Sequence, residues 1–290
     1  MSAATVPEAA QDMGRPIGGP TALGTDPQRF VLLVWTIATT DFKLRFFGSV
    51  LGYLWQIMRP LLLFGIIYTV FTVVLDVNSG EPDFGVALLL GIVLFQFFTD
   101  ATSGSVRSIV LRESLVRKVD FPRAAVPLAC VLQALFNLGL NLIPVLVFLL
   151  ASGGTPRWSW LELPLILGVL ILFVTGLALL LSSLFVRYRD VEPIWDVAMQ
   201  ALFYGTPILY SLSVVIDKAG ISVARIMLIS PLAAAIEQAR HAVVSPQYGS
   251  LSEIYATGAG VLIPLGVTAA VFALGAVVFT RAAPRIAEEL

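Results

Sequence analysis

Apolar stretches of about 20 residues recur along this chain, and they limit its fold more than any motif does. Hydrocarbon offers no water to the backbone, so a stretch crossing a bilayer as a helix satisfies its own N–H and C=O groups. Composition agrees: 58% of the 290 residues are hydrophobic and 13% are charged, where a soluble domain is nearer ~25% charged. The mean hydropathy is +0.90. The expected fold class is all-α, a polytopic membrane protein of six spans.

The spans are expected at 50–75, 84–105, 124–151, 161–186, 194–212 and 254–279. Residues 29–47 are too short in their apolar part to cross. They carry Trp35, Asp41, Lys43 and Arg45, which suits a helix lying in the membrane interface; a first spanning helix is the other reading. Residues 1–28 are rich in Pro, Gly and Ala without an apolar core and read as a disordered cytoplasmic tail, with 282–290 as a second tail. Between spans two and three lies a basic segment, 107–121. Spans four and five are joined by Arg187-Tyr-Arg-Asp-Val-Glu-Pro-Ile-Trp195, and the fifth is broken at Gly205-Thr206-Pro207. Residues 213–253 are too apolar for a plain loop and too short in each apolar run to cross, so two short helices dipping back into the membrane are expected there.

Charge sets the expected orientation. Thirteen of the eighteen basic residues (Arg15, Arg29, Lys43, Arg45, Arg107, Arg112, Arg117, Lys118, Arg123, Arg187, Arg189, Arg281 and Arg285) fall on one side, and basic residues favour the cytoplasm. Both termini are then cytoplasmic. A single cysteine, Cys130, excludes an internal disulfide, and a single histidine, His241, excludes a multi-histidine metal site. No phosphate-binding loop, H-E-x-x-H or G-x-S-x-G occurs. Asp100 and Ser103 lack a nearby base, so a polar helix-packing patch is favoured over a hydrolytic pair. The net charge of −1 points to no nucleic-acid partner.

Four motifs occur in order. Asp41-Phe-Lys-Leu-Arg45 with Gly48-Ser49, Trp55 and Pro60 resembles the entry to the first span of polysaccharide-export ABC permeases. Phe121-Pro122-Arg123 is similar to the start of their third span. Arg187-Tyr-Arg-Asp-Val191 with Gln200, Phe203 and Thr206-Pro207-Ile208 resembles their connection from span four to span five. Ser230-Pro231-Leu232 with Glu237 and Arg240 resembles their extracellular re-entrant region. The resemblance covers about residues 29–281. It implies a type-2 ABC exporter permease that forms a homodimer, pairs with two copies of a separate nucleotide-binding ATPase, and holds no cofactor itself, ATP and Mg²⁺ being bound by the ATPase. The implied cargo is a glycan linked to polyprenyl pyrophosphate, such as O-antigen, teichoic acid or galactan. The scarcity of lysine (Lys43, Lys118 and Lys218) hints at a GC-rich genome and tilts the choice towards galactan. Export of a lipid or small molecule, or a membrane-embedded enzyme of envelope synthesis, are the alternatives.

Within that frame the candidate residues fall into three groups. Tyr53, Trp55, Phe64, Tyr68 and Phe71, with Trp195, Phe203, Tyr204 and Tyr210, are candidates to line a substrate channel, because aromatic faces stack on sugar C–H groups. Ordinary lipid-facing aromatics are the plain alternative. Arg45 and Arg59 are candidates for the lipid pyrophosphate; for Arg59 the plain alternative is an ion pair with a carboxylate such as Asp100. Arg112, Glu113, Arg117 and Lys118, with Arg187, Arg189 and Asp190, are expected to couple the chain to the ATPase. Movement there would reach a hinge at Thr206-Pro207. Glu237 and Arg240 are expected to form a salt bridge within the re-entrant region.

Overall fold

The computed structural model describes residues 22–23, 26–47, 51–74, 83–118, 122–255, 258–284 and 286. Gly48-Ser49, Phe121 and most of both expected tails lie outside the described residues, as do the side chains of Arg117 and Lys118. No strand occurs among the described residues, and the chain is an all-α, multi-pass bundle.

Among the described residues five helices are long and apolar enough to cross a membrane. They are α2 (Leu54–Tyr68, continued by a π-helical turn Thr69–Val74), α3 (Phe84–Val106), α6 (Ala125–Ala151), α7 (Glu162–Arg187, led by a 3₁₀ turn Trp158–Leu161) and α13 (Leu262–Ala282). Before them comes α1 (Pro27–Phe46). The Asp26 carboxylate caps it by accepting from the Gln28 and Arg29 amides at 2.9 and 3.4 Å, and Pro27 fills the first helical position. Two short helices, α4 (Ser108–Leu111) and α5 (Glu113–Lys118), join α3 to α6.

The expected fifth span departs from its predicted form. Its helix, α8, starts earlier and stops sooner, at Val191–Gly205. Fifteen residues rise about 22 Å, short of a hydrocarbon core of about 30 Å. Pro207 explains the stop: the residue before a proline is driven out of the helical region, and Thr206 is extended at φ −92°, ψ 142°. Beyond it come α9 (Leu212–Ala219), α10 (Ile221–Met227), α11 (Pro231–Ala239, continued by a π-helical turn Arg240–Val244) and α12 (Leu251–Tyr255). The α10 axis and the Pro231–Val244 axis meet at 108°, forming a re-entrant hairpin or one broken span.

Helix α3 is the centre. Its run from Ala87 to Leu94 is apolar on every side, so it has no face to give to water, and it packs against α2, α6, α7, α8 and α11. The tightest crossing joins α7 to α13. There a Cβ on Gly176 would lie 2.6 Å from Phe272 Cα, and one on Gly275 would land on the Gly176 carbonyl oxygen. Two facing glycines thus bring two backbones together, the close approach that drives association where lipid removes the hydrophobic incentive.

Helix α1 lies along α6 rather than apart from the bundle. Trp35 and Phe42 each meet Phe136 edge-on at 5.5 and 5.6 Å, and Ala38 is fully buried between them and the bundle. At this end Ala22, Ile109, Val116, Phe279 and Ile286 form one apolar cluster. The two ends of the described chain and the α4–α5 connection therefore share one end of the bundle. The re-entrant hairpin occupies the other.

Candidate functional site

Helix α8 has one side packed on the bundle and one side turned outward. Its inner side packs on α3: Trp195 Nε1 donates to Thr102 Oγ1 at 3.2 Å, Met199 is buried, and Phe203 meets Phe95 edge-on at 5.1 Å. Its outer side exposes Ile194, Asp196, Val197, Gln200 and Tyr204. Asp196, Gln200 and Tyr204 stand four apart, one stripe of the helix. Asp196, one turn beyond Glu192, is close enough to Arg107 to help hold that guanidinium's charge, and Gln200 and Tyr204 continue the stripe away from the basic end.

The aromatic candidates divide between packing and surface. Phe203 is turned inward, and Phe71 and Trp195 pack on the core. Phe64 is buried against Phe148, and Tyr68 leans on Phe64 at 5.5 Å and over Gly85, where a Cβ would sit 3.1 Å from the Tyr68 ring. Tyr53 stacks on Phe42 of α1 at 5.3 Å. Trp55 and Tyr204 keep exposed rings, and Tyr53 and Tyr68 stay partly exposed beside their contacts. Tyr210 is half-buried, and its hydroxyl donates to the Tyr204 carbonyl at 3.1 Å. The exposed rings thus lie on α2, at its start, and on α8.

The basic end is organised by ion pairs. Arg112 pairs with Asp41, tying the α4–α5 junction to α1, and Arg107 pairs with Glu192, tying the end of α3 to the first turn of α8. Hydrogen bonding to Glu192 raises the Arg107 pKa above its ordinary value, so that guanidinium keeps its charge. Arg112, expected on an outward docking face, is turned inward. What α4 and α5 show outward instead are Leu111 (75% exposed) and Leu115, one helical turn apart in sequence. Glu113 is half-buried beside them. In the turn from α7 to α8, Arg187, Arg189 and Asp190 are all exposed, with the Arg187 guanidinium over the Tyr188 ring and that of Arg189 over Phe185 at 5.1 Å.

Between α1, α3 and α6 lies a polar cavity of about 460 Å³. Arg45, Asp41 and Arg112 line its basic end, and Asp100, Gln133 and Asn137 line its membrane side. The Asp100 carboxylate accepts from Gln96 Nε2 at 2.7 Å and Asn137 Nδ2 at 3.2 Å, within the span. Arg59 is not its partner: it is exposed on α2, away from this cavity. Among the described residues no cluster of three or more His, Cys, Asp or Glu side chains is placed to hold a metal.

Sequence reasoning missed three things. Asp196 was passed over, although its four-residue spacing to Gln200 and Tyr204 was available. Leu111 and Leu115 were hidden among more conspicuous charges. The expected Glu237–Arg240 salt bridge forms at 3.5 Å, but the further bonds of Arg240 to carbonyls 33 and 153 positions away were not foreseen.

Residues 32–244 match the family model described as ABC-2 type transporter. An O-antigen export system permease protein RfbA of Klebsiella pneumoniae is 31% identical over 232 residues, covering 79% of this chain and 87% of that protein. RfbA of Myxococcus xanthus is 30% identical over 186 residues, 64% of this chain and 71% of its own length. The polysialic acid transport protein KpsM of Escherichia coli is 22% identical over 177 residues, 59% and 67% of the two chains. The family match spans α3, the polar-striped α8 and the re-entrant hairpin, and this chain belongs to the ABC-2 type transporter family.

Proposed function

We propose that the chain is the membrane subunit of an exporter that moves a polyprenyl-pyrophosphate-linked polysaccharide across the cytoplasmic membrane. In this reading two copies face each other across α2 and α8, and two copies of a separate ATPase, which bind ATP and Mg²⁺, dock at the basic end. The observation that carries the reading is the outward stripe Asp196, Gln200 and Tyr204 on a helix packed against the apolar span α3. A second copy closing over that stripe gives a conduit whose walls hydrogen-bond and stack on sugar, while the bare apolar face of α2 supplies the seam. The names of the relatives, O-antigen and polysialic acid transport, support a polysaccharide cargo.

The basic end is assigned to the cytoplasm, because basic residues concentrate there. Leu111 and Leu115 form the apolar knob that enters the ATPase, and the exposed turn Arg187–Asp190 forms a charged rim beside it. The pairs Arg112–Asp41 and Arg107–Glu192 pass its displacement to α1 and α8. Arg45, at the mouth of the polar cavity, is placed to meet a pyrophosphate arriving from the inner leaflet. Arg59, exposed on α2, is a second cation on the conduit side. Depletion of the protein in its own cell tests the function. Lipid-linked glycan accumulating on the inner face supports it, and unchanged glycan on both faces rejects it.

A further inference from the structure

Arg240 is among the largest fully buried side chains of the described residues, 1% exposed, and the proposed function makes no use of it. Its guanidinium is occupied mostly by backbone. Nη1 donates to the Pro207 carbonyl at 2.5 Å and reaches that of Tyr210 at 3.5 Å, Nη2 donates to Ile208 at 2.7 Å, and Nε donates to Ala87 of α3 at 3.2 Å. The expected partner, Glu237, stands at 3.5 Å, the longest of these contacts together with Tyr210. The chemistry is plain. Where α8 stops in apolar surroundings, the carbonyls of the unwound stretch have no helical donor, and a proline adds none. One planar cation with five N–H groups serves several of them at once.

We propose that Arg240 is a positioning residue of the transport path: it clamps the unwound stretch Pro207–Tyr210 to α3 and so sets the aromatic pair Tyr204 and Tyr210 at the far end of α8. The inference rests on the reading of α8 as a conduit wall. Three observations carry it. Thr206, Pro207, Ile208 and Leu209 are buried, so the proline break is an anchor and not the hinge that its sequence suggests. The Tyr210 carbonyl is held by Arg240 while the Tyr210 hydroxyl holds the Tyr204 carbonyl, which closes the loop between the two rings. Gly91 makes the room: a Cβ there would lie 3.0 Å from Arg240 Nη2. Helix α8 then pivots about a fixed far end, and the movable end is the first turn, held by Glu192 and Arg107.

The test uses the full chain with its ATPase in lipid vesicles, with lipid-linked glycan as the probe. Arg240→Lys keeps the charge but presents a point donor in place of the planar fork. Gly91→Ala crowds the guanidinium and leaves every charge in place. Amide hydrogen exchange at Ile208–Tyr210 is expected to accelerate in both variants, with exchange in α7 and α13 unchanged. The glycan level giving half-maximal ATP hydrolysis is expected to rise about tenfold, the scale of one lost hydrogen bond to a charged group. Basal ATP hydrolysis, set at the opposite end, stays at the wild-type rate. Tyr210→Phe, which removes only the hydroxyl bond, moves the half-maximal level in the same direction by less. Fast exchange with an unshifted half-maximal level would overturn the positioning role, and unchanged exchange would overturn the clamp. Should Arg240→Lys fail to fold, Gly91→Ala alone decides by the same readings. If wild-type protein shows no response to glycan, the proposed function fails, while the exchange measurement still judges the clamp.

Discussion

Helices α2 and α3 are equally apolar, yet 6% of the α2 span is buried and 78% of the α3 span. The same composition serves two opposite positions. Helix α3 is surrounded by five neighbours, whereas α2 leans on α3 and α6 and leaves Leu54, Trp55, Leu62, Ile66 and Val73 bare. Lipid tails are as apolar as leucine, so burial inside a membrane protein is not driven by hydrophobicity and hydropathy cannot rank it. What separates the two helices is shape and polarity nearby. Close to α3 stand glycines and hydrogen-bonded Asp100, Gln96 and Asn137.

The sharpest way to break this contrast is a cross-link. In a Cys130→Ala background, Val73→Cys or Val197→Cys is expected to give a covalent dimer on oxidation, and Leu89→Cys none. A dimer through Leu89, or monomer throughout, would show the bare faces to be lipid-facing. Next in size is the α7–α13 crossing. Gly275→Leu drives a side chain into the Gly176 backbone, and overpacking of this kind costs about 3 kcal/mol. Loss of the monodisperse peak in detergent is the expected result, while Leu62→Ala on α2 leaves it in place. At the basic end, Leu111→Asp with Leu115→Asp is expected to weaken co-purification of the ATPase by about 2 kcal/mol, the scale of an interface hot spot. Arg112→Gln should do less to docking, because that side chain faces Asp41.

Smaller effects refine the picture of the conduit. Gln200→Leu is expected to cut export about tenfold at unchanged protein level, since a lost polar contact to sugar is worth about 1–2 kcal/mol. Ile194→Leu on the same helix should export normally. The smallest effect belongs to α12, where Glu253 and Ser250 bond each other's backbone amides, Ser250 N to Glu253 Oε2 at 2.9 Å and Glu253 N to Ser250 Oγ at 3.3 Å. The Ser250 amide holds the Glu253 carboxyl below its ordinary range. Its folded pKa is depressed, so the cap contributes above the unfolded value of about 4.3 and is lost as pH falls through the lower folded value. Local exchange in α12 should rise in that acid window, and Glu253→Gln should remove the pH dependence.

Much of the fold was legible because it follows from length. Long apolar runs locate α2, α3, α6, α7 and α13, whereas the cap Asp26-Pro27 sat unread inside the stretch 1–28 expected to be a tail, although it starts α1. The fifth span was misjudged because the apolar run continues through Gly205-Thr206-Pro207 and hydropathy does not register a missing N–H. The candidate site was less readable. Tyr204 and Phe203 are neighbours with the same aromatic signal, and only packing against Phe95 tells the inward ring from the outward one. Arg112 announced a docking charge, but its direction depends on Asp41, 71 positions away. Arg240 was legible only in part: its i,i+3 pair with Glu237 forms as expected, but its other partners are carbonyls, which every residue has.

That last feature bears on how the protein is made. Ala87 leaves the ribosome 153 residues before Arg240, an interval of roughly 8–30 s at ~5–20 residues per second. The Ala87 carbonyl and the gap at Gly91 are thus made well before the guanidinium that uses them. The Pro207–Tyr210 stretch follows later, still without its donor. Chains ending before residue 240 therefore hold every span but α13 and lack the cation that ties the break to the centre. Such truncated products should be recognised as unfinished by membrane proteases, and the point at which they become resistant marks when the guanidinium takes its seat.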